Sequence, residues 1–118
     1  MEVLEGSLSD VPLLRVRGEV DHLSASALDE VVQKLLDSNG ARLLVDLAEC
    51  PYLDSGGLSV ILSAVREVRG KGWLGVVAPN ENLIRLFEIV GLTINSDFRI
   101  FAGQDEAAEA LAGMGRLS

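Results

Sequence analysis

Cysteine is nearly missing from this sequence: Cys50 is the only one in 118 residues. A lone thiol cannot close an internal disulfide, and a zinc ribbon needs two cysteine pairs. Cys50 therefore reads as a small buried hydrophobe beside Pro51, with redox and catalytic roles set aside. Histidine is equally scarce. His22 is the single one, and its place at a helix start fits a surface or capping role better than catalysis. Aromatic residues make up 4% of the chain, so a core has to be assembled from Leu, Val, Ile and Ala. Trp73, which opens an apolar stretch, is expected inside it. Basic residues are outnumbered, 10 against 18 acids, for a formal net charge of -8. Contacts to nucleic-acid phosphates need clustered Lys and Arg, and no such cluster occurs. An acidic chain suits a basic protein surface, toward which its charge would steer it. Nothing approaches the roughly 20 apolar residues that cross a bilayer. The start, "MEVLEGSLSD", also lacks the basic and then apolar character of a secretory signal. A reduced, cytoplasmic setting without membrane contact is the expectation.

What is present is an alternation of strand and helix patterns. Residues 11–18, "VPLLRVRG", put Leu14 and Val16 on one face and Arg15 and Arg17 on the other, a strand with one wet face. Pro12, which has no N–H to donate, suits a strand start or an edge. A short partner strand is expected around residues 3–8. In residues 23–40, Leu28, Val31, Val32, Leu35 and Leu36 fall on one helical stripe. Asp21 or Ser24 can cap its start, and Asn39-Gly40 supplies a left-handed stop. The polar side of this helix (Asp29, Glu30, Gln33, Lys34) reads as solvated.

Residues 41–47, "ARLLVDL", run nearly without polar interruption, as a parallel strand buried on both faces does. A second helix follows from about residue 56, with Leu58, Ile61, Leu62, Val65 and Val68 on its stripe and Gly70 and Gly72 at its end. Residues 73–78 read as a third buried strand. Residues 79–91 read as a helix capped by Asn80, striped by Leu83, Leu86, Phe87 and Val90, and stopped by Gly91. A last strand (97–102), with Phe98 and Ile100 on one side, and an Ala-rich helix (104–114) capped by Asp105 complete the pattern, and residues 115–118 are expected to fray. Connections this short between alternating elements imply βαβ crossovers. The expected fold is α/β: one domain over residues 1–118, with a mostly parallel, mixed sheet of about 4–5 strands and about 4 helices.

The stretch "YLDSGGLSVI" (52–61) carries the functional question. It follows a parallel strand and opens a helix, so it lies at the carboxyl edge of the sheet, where open α/β folds place their sites. A chymotrypsin-like reading of Asp-Ser-Gly-Gly fails on its flanks, since Leu53 and Leu58 stand where that loop has Gly and Pro, and His22 would have to serve as base. The Gly-x-Ser-x-Gly elbow of α/β-hydrolases is absent, and no Lys follows Gly56-Gly57 as a phosphate-binding loop requires. No catalytic residue, no metal site and no cofactor is expected. Asp54 or Ser55 can cap the helix, worth about 1 kcal/mol. Two glycines in a first turn are poor for helix stability. They are expected to leave backbone accessible beside Ser55, so that a phosphate or another protein can approach. Helix starts favour anions, and a phosphate on Ser55 would add nearly two negative charges beside Asp54.

Three segments in register resemble a known family. "GEVDHLSASAL" (18–28), "LVDLAECPYLDSGGLSVIL" (44–62) and "LIRLFEIVGL" (83–92) are similar to the corresponding stretches of STAS domains, specifically bacterial anti-sigma factor antagonists (anti-anti-sigma factors). The resemblance extends over the chain from about residue 3 to about residue 112. The resemblance implies that Ser55 is the phosphorylated serine and Asp54 the acid before it. Asp21 matches the acid that lies near the phosphorylation site, and Gly57 and Leu58 match the Gly-Leu that starts the second helix. Gly56 departs, standing where the family usually carries Ser or Thr. The implied mechanism is a partner switch. The unphosphorylated domain binds an anti-sigma factor that is also an ATP-dependent serine kinase, and a sigma factor is released. Phosphorylation breaks the complex, and a phosphatase restores it. The alternative is a STAS accessory module that binds a small ligand, a lipid or a transporter subunit without phosphorylation.

Overall fold

A computed structural model of the chain describes residues 1–38 and 40–117, with side chains through residue 113. Five strands form one sheet: β1 (Glu2–Leu8), β2 (Val11–Arg17), β3 (Arg42–Glu49), β4 (Trp73–Val77) and β5 (Phe98–Phe101). Four α-helices accompany them: α1 (Ala25–Ser38), α2 (Ser55–Val68), α3 (Glu81–Ile89) and α4 (Gln104–Leu117). A 3-10 turn, Leu92–Ile94, precedes β5. The strand order in space is the order in the chain. β1 runs antiparallel to β2, and all later pairs are parallel. Ser9 and Asp10 join β1 to β2 with both φ angles positive, the backbone that a two-residue type I′ hairpin requires.

Every crossover from β2 to β5 steps in the same direction across the sheet. Right-handed crossovers then deliver α1, α2 and α3 to one face. The side chains agree: Leu14, Val45, Leu74 and Phe98 pack with Leu28 of α1, Val60 of α2 and Leu83 and Phe87 of α3. Phe87 meets Phe98 edge-on, with ring centres 5.5 Å apart. The alternate residues of the same strands point to the other face, where Val11, Leu13, Leu44, Trp73, Val77 and Phe101 pack with Ala107 and Leu111 of α4. Trp73 is in the core, as its place in the sequence implies, with the Arg99 guanidinium 5.4 Å from its ring centre.

α4 explains the chief departure from the sequence pattern. β2 lacks a fully wet face: Val11 and Leu13, on the same side as Arg15 and Arg17, are buried beneath α4. Only the arginine half of the strand is exposed, and there Arg17 pairs with Glu49 and Glu2. The apolar run of β3 is also broken by one buried carboxylate. Asp46 accepts hydrogen bonds from the Ala48 N–H (2.9 Å) and from Gln104 Nε2 (2.7 Å), so the first residue of α4 is tied to the centre of the sheet.

Two smaller expectations also change. Val90 falls at the C-cap of α3, outside the stripe, and is exposed, while Gly91 supplies the left-handed stop with φ of 81°. Asp105 lies within the first turn of α4 and does not cap it. The Asn39 half of the α1 stop lies outside the described residues, as do Ser118 and the side chains of 115–117 where fraying is expected. Among the described residues no helix is long and apolar enough to cross a membrane.

Candidate functional site

The parallel strands all end at one edge of the sheet, and two loops meet there. The loop from β2 to α1 and the loop from β3 to α2 prolong the β2–β3 ladder beyond the strands. The Gly18 N–H donates to the Glu49 carbonyl (2.9 Å), the Val20 N–H to Tyr52 (3.1 Å), and the Asp54 N–H to Val20 (3.1 Å). Val20 and Leu53 form an isolated parallel bridge between them, both buried. This pairing crosses more than thirty positions of sequence, so no local pattern announces it.

Asp54 closes the junction. It is the N-cap of α2, in extended conformation, and its Oδ1 accepts from the Gly56 N–H (2.8 Å) and the Gly57 N–H (3.1 Å). Its Oδ2 accepts from the His22 N–H (3.0 Å) in the other loop. One carboxylate therefore satisfies three backbone donors and fastens the two loops together. Of the two caps open to the sequence, Asp54 takes the role and Ser55 does not. Ser55 is the first helical residue, it is exposed, and its hydroxyl makes no hydrogen bond to any described residue. The Ser59 hydroxyl donates to the Ser55 carbonyl, one turn on (2.8 Å).

The two glycines serve a different purpose from the one expected. They do not open the helix start to an approaching partner; they let the chain's own loop lie on it. A Cβ on Gly57 would stand 3.0 Å from Val20 Cγ1, and one on Gly56 would stand 2.8 Å from the Cα of His22. Gly57 is buried and Gly56 half-buried. Two of the anion-binding N–H groups of this helix start are also already taken, since Asp54 holds those of Gly56 and Gly57.

Asp21 turns into its own loop. Its Oδ1 accepts from the N–H groups of Leu23 (3.0 Å) and Ser24 (2.9 Å) and from the Ser24 hydroxyl (3.1 Å). Those bonds, the Ser24 N–H and hydroxyl foremost, hold its carboxyl below the ordinary value, helped by the charge of His22. Asp21 thus shapes the turn that presents His22, and it reaches the Ser55 edge through that turn. Leu58 is partly buried and lines, with Pro51, Tyr52, Ser55, Asn82 and Leu86, a groove of about 440 Å³ between the β3–α2 loop and α3. Cys50 lies under this loop, and its burial pushes the thiol pKa up. No group of three or more His, Cys, Asp or Glu among the described residues could hold a metal.

An exposed serine on a helix start, at the carboxyl edge of a β1-to-β5 sheet in chain order, meets a family pattern. A model of the family described as "Mlab, STAS domain" matches residues 4–99. The chain belongs to the STAS domain family. Within it, this STAS domain groups with the anti-sigma factor antagonists. The anti-sigma-B factor antagonist of Bacillus subtilis (strain 168) is 38% identical over 80 residues, covering 67% of this chain and 72% of that one. The anti-sigma-F factor antagonist RsfB of Mycobacterium tuberculosis (strain ATCC 25618 / H37Rv) is 29% identical over 107 residues, 91% of this domain and 85% of RsfB. The crystal structure of an anti-sigma factor antagonist from Mycobacterium paratuberculosis shares the fold with a TM-score of 0.81, at 25% identity and 92% coverage of both chains. The five-stranded mixed sheet with four helices is the fold of this STAS family.

Proposed function

We propose that this STAS domain is an anti-sigma factor antagonist switched by phosphorylation of Ser55. Unphosphorylated, the single domain of residues 1–118 binds, in the cytoplasm, an anti-sigma factor that is also a serine kinase, and the sigma factor is released. The kinase, holding ATP and magnesium, passes the γ-phosphoryl group to Ser55 Oγ. The hydroxyl proton is lost and ADP leaves. A phosphatase later hydrolyses the ester. The domain supplies an acceptor and a surface, and no catalytic group of its own.

The observation that carries this reading is the state of the Ser55 hydroxyl. It is exposed and uncommitted, on the first residue of a helix whose capping positions a carboxylate already fills. A phosphate there finds the Gly56 and Gly57 N–H groups occupied, so it projects outward. It adds nearly two charges beside Asp54 on the edge where a partner docks, and binding then differs between the two states by the cost of confronting that charge. The test is to mix the protein with anti-sigma kinases of the same genome and ATP, and to map phosphate by mass spectrometry. Phosphate on Ser55, and loss of binding in Ser55→Asp, are the expected results. An unmodified Ser55 with every kinase, together with wild-type binding by Ser55→Asp, overturns the switch.

A second reading has the groove beside Ser55 in its favour. An accessory module that takes a lipid, a small metabolite or a transporter subunit at this edge would bind independently of charge at Ser55, and its partner binding would respond to the ligand instead.

A further inference from the structure

The loop that carries Ser55 is tied to its neighbours on both sides by side chains that cap helices. Asp54 ties it to the β2–α1 loop. On the other side the tie is Asn80. This residue is the N-cap of α3, in extended conformation, and its Oδ1 accepts from the Leu83 N–H (2.9 Å). Its Nδ2 donates to the carbonyl of Pro51 (3.1 Å), 29 positions back in the β3–α2 loop. Capping alone does not call for asparagine, since Asp and Ser accept an N–H equally well at this position. An amide offers an acceptor and a donor on separate atoms, so one can cap while the other reaches across. The backbone before it is fixed. Ala78 holds a left-handed φ of 53° and its N–H donates to the Phe101 carbonyl (2.8 Å). The ring of the buried Pro79 then sets the next φ.

The bond joins the two walls of the groove beside Ser55. One wall is the loop of Pro51, Tyr52 and Ser55, and the other is the face of α3 that carries Asn82 and Leu86. Tyr52 is 53% exposed. Leu86 is followed one turn on by Ile89, which is 75% exposed and shares its helix face. An apolar strip therefore runs from the serine loop along α3. Asp54 lies in the same lining, and the chain carries a net charge of -8. The strip fits a partner that brings an apolar side chain with a basic one beside it.

We infer that Asn80 is a positioning residue for partner docking: its bond to Pro51 holds α3 and the Ser55 loop as one surface, on which the anti-sigma factor seats an apolar side chain. The inference rests on the reading of the protein as an anti-sigma factor antagonist and states how that partner is received.

The test separates the cap from the bridge. Asn80→Asp keeps an acceptor for the Leu83 N–H and loses the donor to Pro51, while Asn80→Ala loses both. In NMR of the full chain, the Leu83 N–H should stay protected from exchange in Asn80→Asp and lose protection in Asn80→Ala. The amide signals of residues 52–55 should move in both. Asn80→Ala should melt lower than Asn80→Asp. Against the anti-sigma factor of the same genome that binds the wild type, both variants should lose about tenfold in affinity, as should Tyr52→Ser, which takes away part of a groove wall. If Asn80 were only a cap, affinity would follow melting temperature and Asn80→Asp would bind as the wild type does. That result overturns the proposal, as do unmoved signals at residues 52–55. Full affinity in Tyr52→Ser overturns the groove as the seat of the partner. If no anti-sigma factor binds the wild type, the proposed function fails and the docking role with it. A failure of the inference alone shows in the variants, beside a wild type that binds.

Discussion

Placing at position 56 the serine that the family resemblance implies should weaken this protein. In Gly56→Ser the new Cβ arrives 2.8 Å from His22 Cα, a backbone atom of a turn that Asp54 holds in place. Forcing an extra carbon into such a contact costs about 1–3 kcal/mol. Removing a glycine from a helix returns about 0.5–1 kcal/mol in an interior and less in a first turn. The balance is a loss of about 1–2 kcal/mol. With an unfolding entropy of roughly 2.1 cal/mol/K per residue, a chain of this length loses about 4 °C in Tm for each kcal/mol. A drop of about 4–8 °C is therefore expected in thermal unfolding followed by circular dichroism. Gly103→Ser is the control, because a Cβ at Gly103 meets nothing within 4 Å, and its Tm should stay near that of the wild type. If Gly56→Ser melts at or above the wild-type temperature, the turn does not bear on the helix start and the close-packing argument is wrong.

Asp54→Ala removes a helix cap worth about 1 kcal/mol and a charged hydrogen bond to the His22 N–H worth about 1.5–3 kcal/mol. With partial exposure, a net loss of about 2–3 kcal/mol in urea unfolding is expected, with faster hydrogen exchange at residues 20–24 as well as 55–57. Unchanged exchange at 20–24 would show that the loops are fastened by other means. Cys50, only 1% exposed with its thiol pKa raised, should react with a thiol reagent about 100-fold more slowly in the native chain than in the unfolded one. Asp21 has a folded pKa below its ordinary value of 3.8. Its contribution is therefore fully present above that value and lost as pH falls through the lower folded one. Ser24→Ala, which deletes the hydroxyl donor, should move the Asp21 midpoint upward in an NMR titration, and the stability gap between variant and wild type should close in acid.

The alternation of elements was legible because it is local. The stripe of Leu28, Val32, Leu35 and Leu36 and the Asn80 cap depend on residues within a few turns of one another, and the structure keeps them. The second face of the sheet was not legible from β2 alone. Val11 and Leu13 are buried by a helix that lies more than ninety residues later, and nothing in "VPLLRVR" distinguishes their side of the strand from the arginine end. Asp46 hid inside an apolar run because its partner, Gln104, lies 58 positions away. At the site, the motif pointed to Ser55 but could not show what the glycines pack against. Their neighbour is a turn brought in by the Val20–Leu53 bridge, so their close packing exists only in three dimensions. The choice of Asp54 over Ser55 as cap follows from geometry that either residue type can satisfy in principle.

A sheet whose spatial order repeats its chain order also has a natural history of assembly. As the chain leaves the ribosome, each strand emerges to find its partner already laid and only one edge open for growth. The hairpin of β1 and β2 closes first, on the microsecond scale typical of hairpins, and every later pairing closes a loop of modest length. No strand has to wait for one made much later. The exception is the covering of the second face. Leu44, Trp73 and Phe101 stay bare until α4 has been synthesised and Gln104 reaches Asp46. A nascent chain halted before α4 would thus hold a finished sheet with one adhesive side.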